Sequence, residues 1–233
     1  MSERSIFSLN NVGVNYKSSL SLFKRDDYWA LKDVSFDVHS GETLGVIGKN
    51  GAGKSTLMKV MAGIINPDKG VVSKNDMSVL LLSLQVGFMP HLSGAENAVL
   101  SGILLGMRKN SVIAAMPEII SFSELGDFIY KPVRTYSAGM KARLGFAVAQ
   151  QADPDVLLMD EVLSVGDAQF RKKSLEAMNE RIRSDKTVIL ISHNEDTIRD
   201  YCSRVVWIND GCSYMEGSPD DVLAEYNKFQ GLI

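Results

Sequence analysis

The residues from Gly48 to Thr56, Gly48-Lys49-Asn50-Gly51-Ala52-Gly53-Lys54-Ser55-Thr56, satisfy the spacing G-x-x-x-x-G-K-[ST] at every required position. Gly48, Gly51 and Gly53 let the backbone curl until the N–H groups around Asn50 and Ala52 point inward at phosphate oxygens. Lys54 is placed to reach the β- and γ-phosphates, and the hydroxyl of Ser55, with Thr56 beside it, to meet Mg²⁺. The chemistry this predicts is the binding of a nucleoside triphosphate. It needs a strand before the loop and a helix after it. Thr43-Leu44-Gly45-Val46-Ile47 reads as that strand, and the run from Leu57 to Ala62 as that helix, whose start adds a partial positive charge.

Phosphoryl transfer also needs a metal site, a base and a charge sensor. Asp160 and Glu161 end the apolar run Val156-Leu157-Leu158-Met159, where α/β folds place their ligands. Asp160 is expected to hold Mg²⁺ through water, and Glu161 to act as general base on the attacking water. His193 follows the next apolar run, Thr187 to Ile191, and could contact the γ-phosphate or orient the water. Ser137, Ala138 and Gly139 open a helical stretch. A serine and a glycine there can form a second anion site, although a plain helix cap also explains Ser137.

The elements that must position these groups alternate. Phe7 to Leu9, Val12 to Val14 and Val34 to Val38 read as strands, and the polar stretch Lys17 to Tyr28 as a solvated loop. Val71 to Leu84 reads as one or two further strands. Helical periodicity follows over Glu96 to Met107, Val112 to Leu125 and Gly139 to Gln151, with Pro117 in a first turn or at a kink. Strand–helix–strand then runs through Ala168 to Ile182, Thr187 to Ile191 and Val205 to Ile208, ending in an amphipathic helix, Pro219 to Phe229. Continuous apolar strands between helices point to a mostly parallel sheet. The expected organisation is one domain. Residues 1–85 and 151–233 form the β-rich core, with an antiparallel part at the N-terminal end, and residues 86–150 form a helical part.

The 233 residues carry a net charge of −3, which gives no support to a nucleic-acid partner. No apolar run reaches the length of a membrane span, and the first residues lack the apolar region of a signal peptide. Cys202 and Cys212 have neither metal-ligand nor redox spacing and read as free thiols in a reducing cytoplasm.

In ordered motifs the chain resembles the nucleotide-binding domain of ABC transporters, a P-loop NTPase with a RecA-like core and a helical signature subdomain. Gly48 to Ser55 matches Walker A, and Val156 to Glu161 matches Walker B with its catalytic glutamate. Ser137-Ala138-Gly139 stands for the signature, Ser164 to Asp167 for the D-loop, and His193 for the switch histidine. Tyr16 resembles the aromatic that stacks on adenine, or is a strand-face tyrosine. Gln85 lies near the Q-loop glutamine and either touches Mg²⁺ or begins the loop that meets the membrane partner. The resemblance implies ATP and Mg²⁺ as ligands. It also implies a head-to-tail homodimer in which Ser137 and Gly139 act in trans on the partner's ATP.

The runs Lys131 to Ala147, Asp160 to Ala168 and Glu124 to Phe128 look like ATPases that export bacterial surface polysaccharides, and the polar insertion before Tyr28 like the O-antigen branch. That resemblance implies a peripheral ATPase on the cytoplasmic face of the inner membrane, coupled to a separate polytopic permease and a lipid-linked polysaccharide. Teichoic acid or capsule export, or a soluble assembly ATPase, are the alternatives. Some such ATPases carry a C-terminal sugar-binding sandwich, which is not expected within these residues. Tyr136 and Met140 depart from the usual Leu and Gln of the signature, and Met140 cannot make the polar contacts of that glutamine.

Overall fold

A computed structural model of the protein describes residues 5–17, 27–82, 87–160 and 167–231. The chain divides into two compact units, one built on a sheet and one on helices.

In the first unit, β1 (Ser5–Lys17) and β2 (Asp27–His39) form a long antiparallel pair. β3 (Thr43–Ile47) leads through the glycine loop into α1 (Lys54–Met61). β4 (Lys69–Lys74) pairs with β1, and β5 (Val79–Leu81) lies at the opposite edge. β6 (Val156–Asp160), β7 (Thr187–Ile191), β8 (Arg204–Asn209) and β9 (Cys212–Gly217) complete a nine-stranded sheet in the order β4-β1-β2-β9-β8-β3-β7-β6-β5. Strands β8, β3, β7, β6 and β5 are mutually parallel; β9 runs antiparallel to β8, and beyond it β2, β1 and β4 form an antiparallel set at the edge.

Every residue of β3 and β7 is buried, which is why these strands read as unbroken apolar runs rather than alternating ones. Ser78 fastens the β5 edge. Its backbone N–H and hydroxyl donate to Asp155 Oδ2 at 2.8 and 2.7 Å and hold that carboxyl below the usual carboxylate range. α7 (Glu195–Tyr201) and α8 (Pro219–Gln230) close this unit, capped by Asn194 and Ser218.

The helical unit holds α2 (Gly94–Leu104), α3 (Lys109–Ala114), α4 (Met116–Ser123) and α5 (Ala138–Ala149), with α6 (Ala168–Ile182) as far as Arg181. Its apolar centre includes Ile119, Ile129, Leu144 and Val148. α6 joins this unit, outside the 86–150 span read from the sequence, because Phe170 stacks edge-on against Phe122 and Phe146 at 5.7 and 6.1 Å. The expected helix over 112–125 is two helices, with Pro117 in the first turn of α4, where its missing N–H costs nothing.

One sequence reading changes, and one strand is added. Asp27 and Tyr28 belong to β2 rather than to a loop, because Lys17↔Asp27 and Tyr16↔Tyr28 continue the antiparallel register. Cys212 begins a strand that the turn Asn209-Asp210-Gly211 feeds back beside β8. Both cysteines are free. Cys202 is 7% exposed, and burial pushes its thiol up to about 12, whereas Cys212 is only half-buried. A thiol reagent at pH 8 should therefore label Cys212 in the native protein and Cys202 only after denaturant unfolds it. Equal native labelling rates would contradict this packing.

Candidate functional site

The parallel strands end level. Val46 of β3 pairs with Ile191 of β7, which pairs in turn with Asp160 of β6. Beyond this row the chain leaves the sheet: into the glycine loop after β3, and into Ser192 and His193 after β7. The loop is shaped by close approach as much as by φ. Gly48 has φ of 150° and a Cβ there would lie 2.2 Å from the Ile208 carbonyl. Gly53 has φ of 105° and a Cβ there would lie 2.4 Å from the Ala30 carbonyl. No side chain fits at either position.

Within this loop Lys54 is buried, and its ammonium donates to the carbonyls of Gly48 at 2.7 Å and Lys49 at 3.0 Å. Ser55, one residue on, donates its hydroxyl to Asp160 Oδ2 at 2.9 Å, joining α1 to the end of β6. A cavity of about 250 Å³ opens over these groups, lined by Gly51, Lys54, Ser55, Asp160 and His193 on one side and by Tyr16, Tyr28 and Ala30 on the other. A second cavity of about 330 Å³ shares Asn50 and His193 with the first and is walled by Leu223, Tyr226 and Asn227 of α8. A hydroxyl and a carboxylate in contact are the hard-oxygen pair that Mg²⁺ prefers, with room beside them for the waters it keeps. The buried ammonium next to them complements phosphate. The residues present therefore fit Mg²⁺ with a nucleoside triphosphate.

The structure thus brings together Tyr16, Gly51, Gly53, Lys54, Ser55, Thr56, Asp160 and His193 around one cavity, with Gly48 and Ala52 in the loop that frames it. Asn50 lines both cavities. Glu161 and Gln85 lie outside the described residues, as do Ser164, Val165 and Gly166. The sequence puts Tyr28 at the end of a loop and outside the site, whereas the structure places it on β2 at the cavity. The signal that places it there is the run Tyr28-Trp29-Ala30-Leu31, which is strand-like from its first residue.

In the helical unit Ser137 caps α5, its hydroxyl accepting the Met140 N–H at 3.1 Å. Tyr136 is held by donating to the Phe128 carbonyl at 2.5 Å. Gly94 makes room for it, since a Cβ there would meet the Tyr136 hydroxyl at 2.2 Å. This explains a tyrosine before the serine: the pocket offers its hydroxyl an acceptor. Asp167 accepts from the Phe170 N–H at 3.0 Å and pairs with Arg143, and both hold its carboxyl below the usual range.

Residues 31–164 match the family described as ABC transporter, and the chain belongs to that family. It is 47% identical over 199 residues to the O-antigen export system ATP-binding protein RfbB of Myxococcus xanthus, covering 85% of this chain and 46% of that protein. It is 41% identical over 206 residues to the teichoic acids export ATP-binding protein TagH of Listeria monocytogenes, covering 88% and 61%. The chain thus spans about half the length of these two curated relatives. The Klebsiella pneumoniae RfbB is 42% identical over 212 residues, covering 91% of this chain and 86% of that protein. Among solved structures, the ATP-binding cassette MJ0796, a dimer bound to ADP and Pi, superposes with a TM-score of 0.71 at 23% identity, covering 91% and 98%. That likeness shows that this chain shares the fold of that cassette.

Proposed function

We propose that this chain is the ATP-hydrolysing subunit of an ABC transporter that exports a lipid-linked surface polysaccharide, O-antigen first among them. The observation that carries the proposal is the contact of Ser55 with Asp160 beneath a loop whose buried Lys54 faces its own carbonyls. The RfbB relatives support O-antigen as cargo, and the TagH relatives favour teichoic acid as the second reading.

On this reading the amides from Asn50 to Thr56 hold the phosphates, and Lys54 leaves the loop carbonyls to donate to the β- and γ-phosphate oxygens. Ser55 and Asp160 hold Mg²⁺, Asp160 through water, with Gln85 either touching the ion or leading toward the membrane partner. When bound, Mg²⁺ supplies positive charge against the phosphate oxygens. Glu161 takes the proton of the attacking water, and His193 donates a ring N–H to the γ-phosphate. Tyr16 stacks on the base.

Ser137, Ala138 and Gly139 act in trans, gripping the γ-phosphate bound by a second copy, with Asp167 at that junction. Gly139 supports this role. It sits in the first turn of a helix, yet among the described residues a Cβ there would meet nothing nearer than Ser137 Oγ at 3.8 Å. The space left open over it among the described residues supports a contact supplied from outside the chain. Release of phosphate removes the trans contacts, the dimer opens, and a separate polytopic permease at the cytoplasmic face of the inner membrane follows.

Gly139→Ala is expected to leave stability unchanged or to raise it by about half a kcal/mol, while lowering ATP hydrolysis at least tenfold. A variant with full turnover would remove the trans role. A tagged Glu161→Gln variant held with ATP should hydrolyse it far more slowly and, drawn from native membranes in mild detergent, should bring down a polytopic membrane protein carrying lipid-linked glycan. Normal turnover, or recovery with soluble proteins alone, would contradict the exporter reading.

A further inference from the structure

Two tyrosines stand at the open end of the cavity over the glycine loop. Tyr16 and Tyr28 are direct partners in the β1–β2 register, so their side chains leave the same face, with Cβ atoms about 5 Å apart. Their hydroxyls reach the loop region at separate points. The Tyr16 hydroxyl lies 3.5 Å from Thr56 Oγ1 on α1, and the Tyr28 hydroxyl donates to the Gly51 carbonyl at 3.4 Å. Both line the cavity that holds Lys54 and Ser55, and both are exposed, at 41% and 57%. Ala30, the extra residue at the register shift between the Asn15–Trp29 and Val14–Leu31 pairs, also lines this cavity with a small side chain.

A tyrosine kept for packing buries its ring faces. Tyr28 instead tethers only its hydroxyl and leaves its ring to solvent, next to a second ring in the same posture. A polyphosphate cradled between Gly51 and Lys54 must carry its nucleoside out of the loop, and the aromatic wall of the cavity is where that apolar part finds surface. Rings at cross-strand distance can take one planar base together, one by its face and the other by its edge.

We infer that Tyr28 is a second base-holding residue, so that the nucleobase is taken by a pair of tyrosines rather than by Tyr16 alone. This rests on reading the loop as a nucleoside triphosphate site. The tether from Tyr28 to Gly51 couples the two: the same loop that receives the phosphates fixes the ring that receives the base.

The test is calorimetric binding of Mg²⁺-ATP and of Mg²⁺-tripolyphosphate, which has no base, to the whole chain and to Tyr28→Ala, Tyr28→Phe and Tyr16→Ala. Tyr28→Ala should weaken ATP about tenfold and leave tripolyphosphate within twofold. Tyr28→Phe keeps the ring face and loses the tether, so it should bind ATP more tightly than Tyr28→Ala and tripolyphosphate like the parent. If Tyr28→Ala binds ATP like the parent, or weakens ATP and tripolyphosphate alike, the inference fails, and in the second case Tyr28 only supports the loop. If the unaltered chain binds neither ligand, the triphosphate reading itself fails and takes this inference with it.

Discussion

The structure depends on a level row across three parallel strands. Val46, Ile191 and Asp160 are register partners, and that row decides where the chain turns out of the sheet. With it in place, the helix that starts at Lys54 can offer Ser55 to Asp160 at 2.9 Å, and His193 emerges beside the same cavity. A slip of one residue in either pairing would turn Asp160 to the opposite face and bury a charge among apolar side chains. The fully buried strands resist that slip, since every side chain of β3 and β7 is already packed.

Lys54 shows how the site stores its readiness. A buried ammonium without partners would be costly, and here the loop's own carbonyls satisfy it. Those bonds are weaker partners than phosphate oxygens, which carry full charge. On the proposed reading, arrival of the triphosphate exchanges carbonyl for phosphate without moving the lysine far. The glycines at 48 and 53 keep neighbouring backbone close enough for this, and each is fixed by a contact that any side chain would break.

Much of this was legible in the sequence, because its signals are local. The loop spacing, the apolar strands and the acidic end of β6 follow from chemistry carried by a few adjacent residues. The extension of β2 back to Asp27 was not legible, since it follows from pairing with Lys17 across an insertion, and a polar stretch alone reads as a loop. Tyr28 is the last residue of that polar stretch, and its one signal is the strand-like run it begins. α7 was hidden too: it is short and largely polar, and its clearest mark is the Asn194 cap before two acidic residues. The membership of α6 in the helical unit rests on contacts with residues distant in the chain: Phe170 against Phe122 and Phe146, and Lys173 with Glu124 and the Phe122 carbonyl.

Proposed as an ATP-driven subunit, this chain places its central demand on Asp160: the carboxylate must serve the metal that accompanies the nucleotide. The most direct test is the affinity for ATP with and without Mg²⁺, in the parent chain and in Asp160→Asn. The account predicts that Mg²⁺ tightens ATP at least tenfold in the parent and has little effect in the variant. An equal gain from Mg²⁺ in both proteins would contradict it and would leave the contact of Ser55 with Asp160 a structural one.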